Sequence, residues 1–325
     1  MPIHPAMASK FHLLEGISSF QQFMEDPALA DRRKAFDEHP GYDAPEVATR
    51  MEEIPGPHGP VPVRIYTRAW AGHAPYLVWP CLVWMHGGAF IAGDVDMPEA
   101  DWVARELAFR AGIVVISVDY RLCTGGVTYP VPHDDVVAAV RWARQNAQSL
   151  GANPGRLSIG GASAGANLAA GAALKLRDAD GWQPAQLILA YPVAHAVVPV
   201  PSASLAALMT EVPEILRFPP ATTHAFNVNY LGGPVSRGDG YAFPALAALD
   251  GLNPVLVMNA EYDDLRASGE AFSAALALAS VDVRQVQVKT MLHGFLNLPA
   301  NLEPVSAALD LIARIVGAAR QPILG

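Results

Sequence analysis

The pentapeptide Gly-Ala-Ser-Ala-Gly at residues 161–165 constrains the fold of this chain more than any other segment. It follows the apolar run Leu157–Gly160, which is typical of a buried strand, and precedes a helical stretch. A strand can pass directly into a helix here only through a very sharp turn. Glycines at 161 and 165 remove the Cβ atoms that would collide with the two elements. The hydroxyl of Ser163 is then exposed at the carboxyl edge of a sheet, as a nucleophile requires.

Three further segments place reactive groups at strand ends. The His-Gly-Gly-Ala-Phe run at 86–90 follows an apolar strand, and its glycines allow backbone N–H groups to point into a pocket. A second strand ends in the carboxylates of residues 261–263, and a third precedes His293. The serine, the acid and the histidine are separated by 100 residues (163 to 263) and then 30 residues (263 to 293). This Ser…Asp…His order is that of α/β-hydrolases and differs from that of chymotrypsin and subtilisin.

Strand and helix patterns alternate along most of the chain, which predicts right-handed crossovers and a mostly parallel central sheet with helices on both faces. The first strands are expected to be antiparallel, at the edge of the sheet. The predicted strands are 61–66, 77–85, 113–119, 157–160, 187–191, 255–260 and 283–290. The predicted helices are 98–111, 134–149, 164–178, 266–280 and 303–319.

Two segments break this alternation and predict a helical cap over the carboxyl edge of the sheet. Residues 194–245 are rich in Pro, Ala and Ser and are too long for a plain loop, so we expect a cap insertion there. Residues 1–50 show helical periodicity at 20–24 and 28–36 and no strand pattern, so they form the N-terminal part of the cap. The catalytic core is then expected to comprise residues 51–193 and 246–325.

The composition excludes several classes of protein. A net charge of −9 and the lack of a Lys/Arg run argue against a nucleic-acid partner. Two cysteines, Cys81 and Cys123, are too few for a disulfide framework. Residues 1–16 lack the signal-peptide pattern, and no window reaches the roughly 18 apolar residues that a membrane span requires. We therefore expect a cytoplasmic protein without a membrane partner.

The sequence gives no sign of a metal or an organic cofactor. His133, His195 and His224 lack the spacing of metal ligands. The glycines between 160 and 171 do not form a dinucleotide-binding G-x-G-x-x-G pattern, because position 162 is Ala and position 163 is Ser. We expect neither group.

These motifs resemble the hormone-sensitive-lipase-like (bacterial family IV) carboxylesterases of the α/β-hydrolase superfamily. The resemblance covers roughly residues 60–320 and rests on ordered motifs at 86–90, 119–122, 161–165, 261–266 and 293–295. It implies a carboxylic ester hydrolase with a helical cap and no cofactor. It also implies that Ser163 is the nucleophile, His293 the base and Asp263 the residue that orients the base. The implied oxyanion-hole donors are the backbone amides of Gly88, Ala89 and Ala164.

The chain departs from the family pattern at two informative positions. Ala89 stands where the loop usually has a third glycine, and its methyl group narrows the site. The usual Asp-Pro-Leu is Asp263-Asp264-Leu265, which offers two acids. The motif register favours Asp263, and Asp264 would then cap the helix that follows.

The sequence indicates the type of reaction but leaves several classes of substrate open. Phe218, Phe226 and Tyr230 in the cap could line an acyl or alcohol pocket or could simply pack the cap. We expect short- to medium-chain acyl esters, cleaved through an acyl-enzyme. The same triad could instead cleave a lactone, carbamate or amide. A non-catalytic small-ligand receptor on this fold is a further alternative, although such receptors lose a triad member. A homodimer joined through an edge strand is also a possible assembly.

Overall fold

A single eight-stranded sheet forms the centre of the molecule in the computed structural model, which describes residues 2–19, 22–23, 26–68 and 79–318. Its strand order is β1-β2-β4-β3-β5-β6-β7-β8. The strands are β1 (Ala48–Ile54), β2 (Val61–Thr67), β3 (Trp79–Met85), β4 (Val114–Val118), β5 (Ala152–Ala162), β6 (Leu187–Ala190), β7 (Val255–Tyr262) and β8 (Val283–Leu292).

Helices connect most of these strands, and short 3₁₀ turns lie between them. The helices of the described segments are α1 (Pro5–Ala8), α2 (Ala30–Asp37), α3 (Pro98–Ala111), α4 (Val131–Gln145), α5 (Ala164–Asp180), α6 (Ala203–Leu208), α7 (Pro220–Leu231), α8 (Arg266–Leu278) and α9 (Glu303–Ala318). The 3₁₀ turns in the same segments are Phe11–Leu14, Pro27–Leu29, Met209–Glu211, Glu214–Leu216, Val235–Arg237, Pro244–Leu246 and Phe295–Asn297.

The sheet is buried on both faces, and this explains the continuous apolar runs of its central strands. Alternate side chains of β3 enter two separate hydrophobic cores: Val83 lies in one and Trp84 in the other. Helices α4, α5 and α8 cover the first face, and α3 and α9 cover the second. The predicted α/β-hydrolase architecture is confirmed.

Strands β3 to β8 run parallel, whereas β1 and β2 are antiparallel to their neighbours, as expected for the edge. The expectation of no strand pattern up to residue 50 is wrong, because β1 begins at Ala48, so the boundary predicted at 50 falls inside a strand. Most side chains of this outer strand are exposed, so its sequence lacks the alternation of apolar and polar residues by which a strand is predicted. Three predicted elements extend beyond the described residues. These are the strand 77–85 at residues 77 and 78, the helix 303–319 at residue 319, and most of the helical stretch 20–24.

The segment between β6 and β7 leaves and rejoins the sheet at one place. The amide of Ala245 donates to the carbonyl of Ala194 at 3.0 Å, which closes the base of the 194–245 insertion. This insertion contains α6 and α7. The N-terminal residues contact the sheet at a different strand. The amide of His4 donates to the carbonyl of Thr290 at 2.9 Å, near the carboxyl end of β8.

Among the helices of the described segments, none is both long enough and apolar enough to span a membrane.

Replacement of glycine by alanine should have opposite effects on stability at two helical positions. A Cβ at Gly171 in α5 would lie 2.1 Å from the carbonyl oxygen of Tyr241, whereas a Cβ at Gly317 in α9 would meet only Ala111, at 3.7 Å. We expect Gly171→Ala to lower the free energy of unfolding by about 1–3 kcal/mol through overpacking. Gly317→Ala should raise it by about 0.5–1 kcal/mol by restricting the unfolded chain. Urea denaturation of both variants measures this, and equal effects would contradict the packing at Gly171.

Candidate active site

The turn between β5 and α5 places Ser163 at the carboxyl edge of the sheet in a strained backbone conformation, with φ 53° and ψ −116°. The two flanking glycines make the turn possible. A Cβ at Gly161 would lie 2.4 Å from the carbonyl oxygen of Gly165, and a Cβ at Gly165 would lie 2.3 Å from the carbonyl oxygens of Met85 and His86. No real side chain fits at either position, so the turn requires both glycines.

Three side chains that are far apart in the sequence meet at this edge. The Oγ of Ser163 lies 2.9 Å from Nε2 of His293, and Nδ1 of His293 lies 2.8 Å from Oδ2 of Asp263. A carboxylate can only accept, so Nδ1 carries the proton and Nε2 is left to accept the proton of the serine hydroxyl. This is the hydrogen-bond chain that activates a serine.

The two adjacent acids that end β7 have different partners. Asp263 is buried, and its second oxygen accepts the amide of Leu265 at 2.8 Å, so the residue beside His293 also binds the start of α8. Asp264 instead accepts hydrogen bonds from Arg217 and from the amide of Phe218 in the insertion. The expected helix-capping role of Asp264 is therefore wrong, because Asp264 binds the insertion.

The loop after β3 brings backbone donors to the same edge. Gly88 has φ 108°, and a Cβ there would lie 1.9 Å from the carbonyl oxygen of Ala92. Ala89 adopts φ 52°, a left-handed conformation that favours the glycine usual at this position. Among the hydrogen bonds of the described segments, none is donated by the amides of Gly88 or Ala89. The amide of Ala164 is in the first turn of α5, where it has no intrahelical acceptor.

A buried carboxylate anchors this loop. Glu99 on α3 is 2% exposed, and its Oε2 accepts the amide of Gly87 at 2.6 Å. Its Oε1 accepts the hydroxyl of Tyr191 and, at 3.3 Å, the side chain of Asn297. Burial raises the pKa of Glu99, and the hydrogen bonds from Tyr191 and Gly87 oppose that rise. Glu99 thereby joins the loop, the end of β6 and the turn after His293.

A second set of contacts, made by the segment that follows β4, supports the loop. The buried imidazole of His86 stacks on Tyr120, with ring centroids 4.5 Å apart. The hydroxyl of Tyr120 donates to the carbonyl of His86 at 2.8 Å. The next residue, Arg121, donates its amide to Asp135 at 3.0 Å, which fixes the segment to α4. The Asp-Tyr-Arg-Leu motif thus holds the loop in place.

Aromatic rings enclose His293. Tyr191 meets it edge-on at 4.8 Å between centroids, and Phe218 of the insertion lies at 4.7 Å. This burial lowers the pKa of His293, but the charge and hydrogen bond of Asp263, with smaller contributions from Glu99 and Asp264, outweigh it and leave the pKa raised. These groups therefore stabilise the imidazolium that forms when His293 takes a proton.

The three predicted pocket residues lie in different environments. Phe218 contacts His293, as described. Tyr230 is fully buried and stacks on Phe90 with centroids 3.9 Å apart, so it packs α7 against the loop. Of the two alternatives predicted for Tyr230, these contacts favour packing of the cap over lining a pocket. Phe226 is partly exposed on α7 and remains a prediction.

Sequence reasoning missed Glu99, Tyr191 and Asn297. An acid in the first turn of a helix is ordinarily a solvated partner of the helix dipole, so Glu99 gave no distinctive signal. Tyr191 did carry one, since it directly follows a buried strand at the carboxyl edge of the sheet. Asn297 comes to the site only through the turn after His293.

Known proteins match this chain over most of its length. Residues 82–297 match a family described as having the alpha/beta hydrolase fold. The chain is 34% identical over 270 residues to Carboxylesterase NlhH of Mycobacterium tuberculosis, which covers 79% of each protein. It is 32% identical over 272 residues to Esterase LipI of the same organism, covering 82% of this chain and 81% of LipI. The solved structure of a hyperthermophilic esterase from the archaeon Pyrobaculum calidifontis superposes with a TM-score of 0.81, at 30% identity over 98% of both chains.

The chain is therefore an α/β-hydrolase. Within that superfamily it belongs to the hormone-sensitive-lipase-like family IV, and the resemblance inferred from its motifs is confirmed.

The contacts of Glu99 predict a specific defect in Glu99→Gln. One oxygen is replaced by an NH₂ group that faces a donor, so the loop at 87–89 loses its fixed position. Reaction of Ser163 with a fluorophosphonate, which needs both the histidine and the loop amides, should slow on the order of 10- to 100-fold. Labelling rates measure this. The matched control is Glu106→Gln, a buried glutamate on the same helix that binds Tyr42 and Arg110. Equal rates in both variants would contradict the role of Glu99.

Proposed function

We propose that this chain is a serine carboxylesterase that hydrolyses short- to medium-chain acyl esters through Ser163, His293 and Asp263. The observation that carries the proposal is the hydrogen-bond chain from Ser163 to His293 at 2.9 Å and on to Asp263 at 2.8 Å. The esterase names of relatives that cover most of the chain support it.

Acylation follows from this geometry. The hydroxyl of Ser163 attacks the ester carbonyl while Nε2 of His293 takes its proton. Asp263 holds the imidazole in the tautomer that accepts at Nε2 and stabilises the imidazolium that forms. The imidazolium then gives its proton to the departing alcohol, which leaves the acyl group on Ser163.

The loop amides stabilise the charge that develops on the carbonyl oxygen. Gly88, Ala89 and Ala164 are the proposed donors, and the loss of one such donor typically costs on the order of 10²–10³ in rate. Water then attacks the acyl-enzyme with His293 again acting as base. The second tetrahedral intermediate collapses to the carboxylic acid and free Ser163.

The surroundings of the nucleophile support small acyl groups. Ser163 is only 9% exposed, and the side chain of His293 is 8% exposed. The methyl group of Ala89 adds bulk beside the proposed oxyanion donors. A small-molecule ester is therefore the proposed partner.

We further propose a cytoplasmic location, with no partner in nucleic acid or membrane and with a homodimer as the possible assembly. Two buried free thiols, Cys81 and Cys123, suit a reducing compartment. The net charge of −9 disfavours binding to phosphate backbones.

Removal of the nucleophile tests the proposed reaction. Ser163→Ala should abolish hydrolysis of p-nitrophenyl acetate and butyrate, with a fall in kcat on the order of 10⁶-fold. In the wild type, kcat/KM should fall as the acyl chain lengthens beyond the medium range. Equal rates for the two proteins would remove Ser163 from the nucleophile role. Failure of the wild type to react with a fluorophosphonate would favour a ligand receptor.

The raised pKa of His293 predicts the pH dependence. Only the neutral imidazole accepts the serine proton, so kcat/KM should fall as the pH drops through a pKa above the ordinary 6.5. Asp263→Asn removes the main cause of that rise. The acid limb should therefore move to lower pH, while kcat falls on the order of 10⁴-fold because the wrong tautomer is favoured. Asp180→Asn, on the remote surface pair with Arg141, serves as the control. An unshifted acid limb in Asp263→Asn would contradict the assignment of Asp263.

A further inference from the structure

Asp264 binds the cap insertion with three hydrogen bonds. Arg217 donates from Nε at 3.2 Å and from Nη2 at 2.9 Å, one bond to each carboxylate oxygen. The amide of Phe218 donates to Oδ2 at 2.9 Å. Bidentate, charge-assisted bonds of this kind fix orientation as well as distance. The side chain of Asp264 is 8% exposed, so solvent screens the pair only partly.

These bonds hold the backbone of Phe218 close to His293. The backbone amide of Phe218 is held by Asp264, and its ring lies 4.7 Å from the imidazole of His293. Asp263, the preceding residue, binds the other side of the same imidazole at Nδ1. Two consecutive carboxylates therefore fix both the base and the aromatic wall above it.

We propose that Asp264 and Arg217 form a latch that holds Phe218 against His293 and thereby selects the size of the ester that reaches Ser163. Asp264 is in this sense a specificity-determining and positioning residue, and it contacts no reacting atom. The proposal rests on the proposed esterase function. When the latch is broken, the wall formed by Phe218 recedes, so longer acyl chains gain access and the smallest esters lose their fixed orientation.

The charges of the latch give it a signature that loosened packing cannot imitate. His293 is faced by the carboxylates of Asp263 and Asp264 from the end of β7 and by Glu99 from α3, and all three raise its pKa. Arg217 of the insertion neutralises Asp264. Removal of Arg217 leaves a bare carboxylate near the imidazole, whereas removal of the Asp264 charge leaves a bare cation. Relative to the shift that loss of the Phe218 wall alone produces, the two changes must shift the acid limb of kcat/KM in opposite directions.

The experiment compares Asp264→Asn, Arg217→Gln and the double variant. The control is Arg141→Gln, which breaks the bidentate pair that Arg141 of α4 forms with Asp180 of α5. Active sites are titrated with a fluorophosphonate, so that misfolded protein is not counted. We expect each single variant to raise the ratio of kcat/KM for p-nitrophenyl octanoate over acetate by about fivefold or more, and the double variant to add little, because both remove one interaction. Arg141→Gln should leave the ratio unchanged.

The pH profiles supply the second readout. Phe218→Leu should reproduce the change in ester preference, and its acid limb, which carries the loss of burial alone, is the reference for the two latch variants. Relative to that reference, the acid limb should lie at higher pH in Arg217→Gln and at lower pH in Asp264→Asn. A ratio within twofold of the wild type in both latch variants would overturn the proposal. So would acid limbs that lie on the same side of that reference in both latch variants.

Failure of the latch and failure of the proposed function are distinguishable. If the wild type hydrolyses no ester, the proposed function fails, and selection among esters fails with it. The position of Phe218 is then tested by NMR titration of the His293 imidazole, where opposite pKa shifts in the two variants support the latch geometry and equal shifts reject it. If the wild type hydrolyses esters and the variants keep its preference, only the latch is wrong.

Discussion

Close backbone contact between the serine turn and strand β3 is the constraint on which the rest of the site depends. Gly165 packs directly on the carbonyl oxygens of Met85 and His86, so the turn and the start of the oxyanion loop are in contact. The strain of Ser163 at φ 53° is maintained by this packing. The nucleophile and the start of the oxyanion loop are consequently positioned by one backbone contact, and the buried side chain of Glu99 then holds the loop through the amide of Gly87.

Buried carboxylates extend this order outward from the turn. Glu99 binds the loop, Asp263 the imidazole and Asp264 the insertion, so one buried acid holds each of these three parts in place. All three raise the pKa of His293, and together they outweigh the opposite effect of its burial. The same groups that position the site thereby also set the pH at which a serine can be activated.

The fold and the order of the reactive residues could be predicted because they depend on local signals. Strand alternation, paired glycines and residues at strand ends are visible in the sequence, and they placed Ser163 and His293 at one sheet edge. The outer strand β1 could not be predicted, and neither could the choice between the two roles of Tyr230, because both depend on exposure in the folded chain. Glu99 and the partners of Asp264 depend on contacts across α3 and the insertion, which no local pattern records.

The hydrogen bond between Ala194 and Ala245 has a consequence for how such proteins diversify. Because the two ends of the insertion adjoin, an intervening stretch of different length or composition can be exchanged while every strand keeps its register. A replacement must still supply partners for Asp264 and for Phe90 of the loop, which Arg217 and Tyr230 supply here. The reaction chemistry and the range of accepted molecules can thus change independently under mutation and selection.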